Sequence, residues 1–163
     1  MRGFVLLAAV SVAGLMVGVS PASSLDEPEV VRLVDVEESF VPIDPGLRED
    51  APPSLGARFS FTDGLYRWAG TKRGNRVGRI EGFCTATKVD LEAGVVTEYC
   101  TATAYLPRGR ALVAGFIRFT EEGSGRFVVP VFGGVGRYNN AGGTLTISDL
   151  PSGNSAAVFR FVP

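Results

Sequence analysis

The stretch from Val129 to Ile147, VPVFGGVGRYNNAGGTLTI, constrains the fold more than any other part of the chain. It joins two apolar, β-rich runs through a bend holding Gly133, Gly134 and Gly136, then Tyr138, then Gly142 and Gly143. Glycines at this density allow positive φ, bulges and sharp corners. A phosphate-binding loop needs a helix after its glycines, with the helix N-terminus facing the phosphates. Here Gly143-Thr-Leu-Thr-Ile follows, which reads as another strand. The stretch is therefore read as a corner between strands, with Gly133, Gly134, Gly136, Tyr138 and Gly142 structural.

The rest of the chain repeats one pattern: apolar runs punctuated by turn residues. Val30 to Val41 is the first expected strand, and Gly56 to Thr62 the second, alternating with Ala57, Phe59 and Phe61 on one face. Asp63-Gly64 reads as a bend before Leu65-Tyr-Arg-Trp68, and Gly70 to Gly74 as a solvated basic turn. Trp68 has two readings, a cap on a cavity mouth or ordinary loop packing. Further strands are expected at Val77–Val89, Val95–Leu106, Arg110–Thr120, Arg126–Phe132, Gly143–Leu150 and Ala156–Val162. No segment has a helical period. Eight short strands with turns at this spacing predict an all-β fold, an eight-stranded antiparallel barrel closed on itself. The segment Pro42 to Pro53, with four prolines, is a loop long enough for a lid or a spacer.

The N-terminus differs. Arg2 precedes an uncharged run containing FVLLAAVSVAGLMVGV, with small residues at Ser20 and Ala22. This pattern predicts a signal peptide over residues 1–22, cleaved after Ala22, and an exported protein. No Cys follows to carry a lipid anchor, and retention of the run as a membrane anchor is the other reading. The expected organisation is a leader over 1–22, a segment over 23–55 with the first strand and the Pro-rich loop, and the remaining barrel over 56–163. The barrel as a whole runs over 30–163.

Composition excludes several functions. The chain has 163 residues, a formal net charge of −1 and no histidine. Loss of Arg2 with the leader would make the charge more negative, so nucleic acid is not an expected partner. Without histidine there is no Ser-His-Asp or Cys-His catalysis and no His-based zinc site. The two cysteines, Cys84 and Cys100, lie in successive expected strands. If Val89 faces Val95 across the turn, Cys84 faces Cys100, a register that suits a cross-strand disulfide in an oxidising compartment.

The order FTDGLY, GTKRGNRVGRIEGFC, Gly109 before the fifth strand and VFGGVGRYNNAGG resembles the allene oxide cyclase barrel family. That group includes plant allene oxide cyclases, the similarly folded dirigent proteins and bacterial spirotetronate-type cyclases. The resemblance runs from about Gly56 to the C-terminus. It implies an eight-stranded barrel, a cavity for a hydrophobic small molecule, a homodimer or homotrimer, and neither cofactor nor metal. Where the cyclases carry a Glu-x-Asn pair on the first strand, this chain has Asp35, Glu37 and Glu38. Their cavity cysteine corresponds to Cys84. The resemblance therefore implies fold and broad chemistry rather than allene oxide as substrate.

Strand alternation leaves two possible interiors. With Cys84 inward, as the resemblance suggests, the wall gains Gly78, Ile80, Gly82, Ala86, Glu98, Ala102 and Ala104, mostly small. With the other face inward it gains Glu81, Phe83, Tyr99, Thr101 and Tyr105. The first is preferred, and the expected cavity lining is Phe61, Ile80, Ala86, Ala102, Ala104 and Phe116. The polar candidates are Asp35, Glu81 and Glu98, carboxyls within apolar runs where burial raises pKa towards acid–base use, and Tyr99 as a hydrogen-bond donor. The expected function is a cyclase or isomerase acting on a polyketide- or oxylipin-like molecule by shaping it in an apolar cavity. The alternative is a non-catalytic ligand-binding or dirigent-type barrel.

Overall fold

In the computed structural model, residues 25–44, 53–69, 72–120 and 122–163 are described. The expected signal peptide, most of the Pro-rich loop and the start of the basic turn lie outside these residues. Eight strands follow one another: β1 (Glu29–Pro42), β2 (Arg58–Ala69), β3 (Lys72–Asp90), β4 (Val95–Leu106), β5 (Gly109–Phe119), β6 (Phe127–Gly136), β7 (Gly142–Asp149) and β8 (Ser155–Val162). Each pairs antiparallel with the next, and β1 pairs with β8, so the sheet closes into a barrel with no free edge.

Three elements depart from the sequence expectation. β3 begins at Lys72 rather than Val77, so the described part of the expected basic turn is paired strand. Asp63-Gly64 is no bend: β2 runs through it, with Asp63 paired to both Glu37 and Ile80. The β3–β4 turn is also offset, Val89 facing Val96 and Asp90 facing Val95. A bulge at Thr87 absorbs the offset, so Cys84 still faces Cys100. The two cysteines are joined in a disulfide, with Cα atoms 4.0 Å apart.

One end of the barrel is packed shut. Tyr138 stacks on Phe161 at 4.2 Å between ring centres, and Phe161 on Phe159 at 5.7 Å. Leu25, Leu33, Leu65, Ala104 and Ala111 complete this plug, all of them buried. Above it, Glu29 accepts hydrogen bonds from Arg137 at 3.0 Å and from Arg108, which ties β1 to the turns after β4 and β6. Trp68 lies at this closed end, near the β2–β3 connection, and is exposed. It does not cap the opposite mouth.

The glycine corner makes the plug possible. β6 ends at Gly136, whose φ of 70° is a left-handed conformation that a Cβ would strain. At Gly134 a Cβ would run into the Arg110 carbonyl and the Tyr138 backbone, so only glycine lets the chain pass between them. The turn at 137–140 then swings Tyr138 over the barrel floor.

Candidate active site

The opposite end is open, and below it lies a cavity of about 400 Å³. The rim is set by the β5–β6 and β7–β8 turns, with Gly123, Ser124, Gly153 and Asn154 in contact with the cavity. Its walls are largely apolar: Phe40, Phe61, Ile80, Ala102, Val113, Ile117, Phe119, Phe127, Val129, Leu145 and Ile147. The Cys84–Cys100 disulfide forms part of one wall. The space exists because β3 and β4 present the disulfide-bonded Cys84 and Cys100 and the small Ala102 to it, where larger side chains would fill the barrel. The preferred interior is thus the one the protein has.

Four carboxyls reach the cavity: Asp35, Glu37, Asp63 and Asp149. Asp35 and Glu37 are two apart on β1 and so share its inner face. Asp63 lies on the next strand, directly opposite Glu37. A bulge at Glu38 turns that residue outward, where Arg76 donates to it at 2.7 Å, and returns Phe40 to the inner side. Burial, with the negative charges of Asp63 and Glu37 nearby, pushes the Asp35 carboxyl up to about 8. Burial, reinforced by Glu37 and Glu38, pushes Asp63 up to about 7. The Oδ1 of Asp35 is buried without a hydrogen-bond partner among the described residues. Such a pair keeps part of its protons at neutral pH, because burial disfavours the charged forms and no cation stands beside either carboxyl among the described residues.

The sequence candidates separate on this geometry. Asp35 lines the cavity, as do Phe61, Ile80 and Ala102. Glu98 faces inward and is only 5% exposed, opposite Ala86, and its Oε2 has no partner. Burial raises its pKa. Its carboxylate lies within 4.8 Å of the two cysteine sulfurs, which as a disulfide offer no thiolate to a metal.

Ala86 and Ala104 also face inward, but each is buried in packed side chains away from the cavity, Ala86 beside Ala57 and Phe59. Glu81 is a correction: it lies on the outer face, where Arg79 donates to it at 2.9 Å and holds its carboxyl below the usual range. Tyr99 is another, being 41% exposed on the outside and packed on Phe116. Phe116 itself is 65% exposed and lines nothing inside. All three follow from period two: their chain neighbours Ile80, Cys100 and Ile117 are inward.

Asp63 and Asp149 are not among the sequence candidates, and Glu37 enters there only through the resemblance, without a role in the cavity. For Asp63 the signal was present, since the alternation of Ala57, Phe59 and Phe61 carries on to Asp63 once the supposed bend is removed. Glu37 lies two positions beyond Asp35 on the same strand. Nothing in the sequence sets Asp149 apart from an ordinary strand end.

No protein of established function matches this chain by sequence. Among solved structures, a pyocyanin demethylase superposes with a TM-score of 0.65 at 22% identity, covering 82% of this chain and 100% of that one. An exo-specific intermolecular Diels-Alderase superposes at 0.58 and 17% identity, covering 82% and 97%. A pterocarpan synthase dirigent protein does so at 0.58 and 13%, covering 83% and 88%. At such identities these likenesses concern the barrel. The sequence model of the allene oxide cyclase barrel like domain matches residues 49–159, from the β1–β2 loop to β8, and the chain is a member of that family.

Proposed function

We propose that the protein is an exported cyclase or isomerase acting on a hydrophobic small molecule, polyketide- or oxylipin-like in its apolar bulk. One observation carries this reading: Asp35 and Asp63, both raised towards neutral pH, lie diagonally across the β1–β2 ladder on the wall of a largely apolar cavity. At neutral pH such a pair offers one carboxyl as acid and another as base. A substrate folded against it can lose a proton at one atom and gain one at another, giving a ring closure or double-bond shift that conserves atoms. The apolar walls supply the folding, and no cofactor enters this scheme.

Kinship to a Diels-Alderase and a dirigent protein supports barrel chemistry that works by shaping its ligand. The disulfide suits an oxidising compartment, which supports export. A homodimer or homotrimer would cover the exposed Phe83, Phe116 and Phe132 on the outer face.

The second reading, a non-catalytic or dirigent-type barrel, is favoured by the chemistry of the described lining. Beyond its carboxyls, no side chain there titrates near neutral pH. Incubation with fractionated apolar metabolites of the producing organism separates the two. Mass-neutral conversion of one compound, lost in Asp63→Asn, supports catalysis. A compound retained but unchanged supports the second reading.

A further inference from the structure

Every charged side chain among the described residues lining the cavity is an acid. Asp35 and Glu37 come from β1, Asp63 from β2 and Asp149 from the end of β7. The adjoining wall contributes only uncharged groups, Ser155 from β8 and Ile80 from β3. Three arginines of β2 and β3 are engaged elsewhere, Arg76 with Glu38 and Arg79 with Glu81 on the outer face and Arg58 with Asp44, and Arg126 in the β5–β6 turn is not part of the lining. One oxygen of Asp35 is buried with no partner, and so is one oxygen of Glu98 beside the cavity-wall disulfide. Buried carboxyls without partners are costly, and in proteins they are normally matched by a donor or a cation. Among the described residues none is supplied, and an open, aromatic-walled space lies next to them. Phe40, Phe61, Phe119 and Phe127 present ring surface to that space, which favours cations as well as apolar bulk.

We propose that the cavity takes an apolar molecule bearing a positive charge, such as a protonated amine or a cationic nitrogen ring, seated against Asp35 and Asp63. This rests on the reading of the cavity as the working site and narrows its substrate class. Anionic amphiphiles, fatty acids included, are disfavoured by the same wall, which sets aside the oxylipin-like part of that reading in favour of the polyketide-like one. Binding of a cation draws protons off the acids, so its affinity rises with pH across the range where Asp35 and Asp63 ionise. A neutral molecule of the same shape has no such dependence.

The test is a fluorescence titration of the disulfide-bonded protein with 2-naphthyltrimethylammonium and its neutral isostere 2-tert-butylnaphthalene. At pH near 8.5 the cation is expected to bind at least about tenfold tighter, equivalent to about 1.4 kcal/mol. The ratio should shrink on going to pH near 5.5. Asp35→Asn and Asp63→Asn, each checked for native circular dichroism, should bring the ratio to within about threefold. The pH dependence in the unaltered protein gives the same reading without any variant. Equal binding of the two probes overturns the charge preference and leaves the cavity reading intact. A preference that is insensitive to pH and survives both substitutions overturns it too. Binding of neither probe overturns the cavity reading along with it.

Discussion

Asp63 stands directly across the β1–β2 ladder from Glu37, and both reach the cavity that Asp35 also lines. Like charges facing each other in an antiparallel pair destabilise it. A fold that keeps three of them together on an apolar wall gives up stability for what the wall does.

That cost has a direction in pH. Asp35 and Asp63 hold protons in the folded state at pH values where the unfolded chain has lost them, since both are raised from 3.8. Their contribution is full below the unfolded value and is lost as pH rises through about 7 and about 8. Asp44 and Glu81 are shifted the other way, so their contribution is lost only towards strong acid. Thermal melting should therefore occur at higher temperature near pH 5 than near pH 8.5. Asp35→Asn should remove most of the difference by raising Tm at the alkaline end, with about 2–4 °C expected per kcal/mol for a domain of this size. An unchanged slope in this variant would show that Asp35 is not its source.

The inner face was legible in the sequence wherever strict alternation held. The pairing of Cys84 with Cys100 placed β3 and β4 correctly, but of the small inward residues around them only Ala102 borders the cavity, Ala86 and Ala104 being packed against neighbouring side chains. The all-β class was legible for the same reason, since eight apolar runs separated by turn residues have few other uses. What escaped was the interruption of alternation. Bulges at Glu38 and Thr87 shift the register by one, and no side-chain pattern announces them. Asp63 was hidden by a local turn signal, Asp-Gly, that pairing on both sides of β2 overrides. Asp149 required knowledge of which turns share the mouth, and that is a property of closure.

Ala102 tests the cavity by its size. It is half-buried, lines the cavity and faces Gly82 across β3–β4. Ala102→Phe projects a ring into the open space, so ligand affinity should fall at least about tenfold. The variant should remain folded, with an overpacking cost of about 1–3 kcal/mol at most. Calorimetric binding and a thermal melt on one sample read both quantities. Unimpaired binding would place the ligand elsewhere.

The disulfide closes a short loop, with a sequence separation of 16. Replacing both Cys84 and Cys100 by Ala should lower unfolding free energy by about 3 kcal/mol on the chain-entropy account. Urea unfolding measures it, and a loss well under about 1 kcal/mol would show that the barrel alone fixes this register.

Tyr138 is the largest side chain on the barrel floor and is almost completely buried against Phe161. Tyr138→Ala should cost about 3–5 kcal/mol by leaving a cavity in the plug. Gly136→Ala, which changes little volume but forces a Cβ into a left-handed conformation, should cost about 1–2 kcal/mol. Denaturant melts that rank the two in the opposite order would contradict the assignment of the corner as a support for the plug.

Two acids on the cavity wall, Asp35 and Asp63, are the centre of this mechanism, and both should titrate near neutral pH. Carboxyl-carbon NMR of protein labelled at aspartate, with Asp35→Asn and Asp63→Asn used for assignment, measures this directly. Two resonances should titrate near neutral pH, with the Asp35 midpoint moving downward in Asp63→Asn. Titration of both below about pH 5, in the range of ordinary carboxyls, would contradict it.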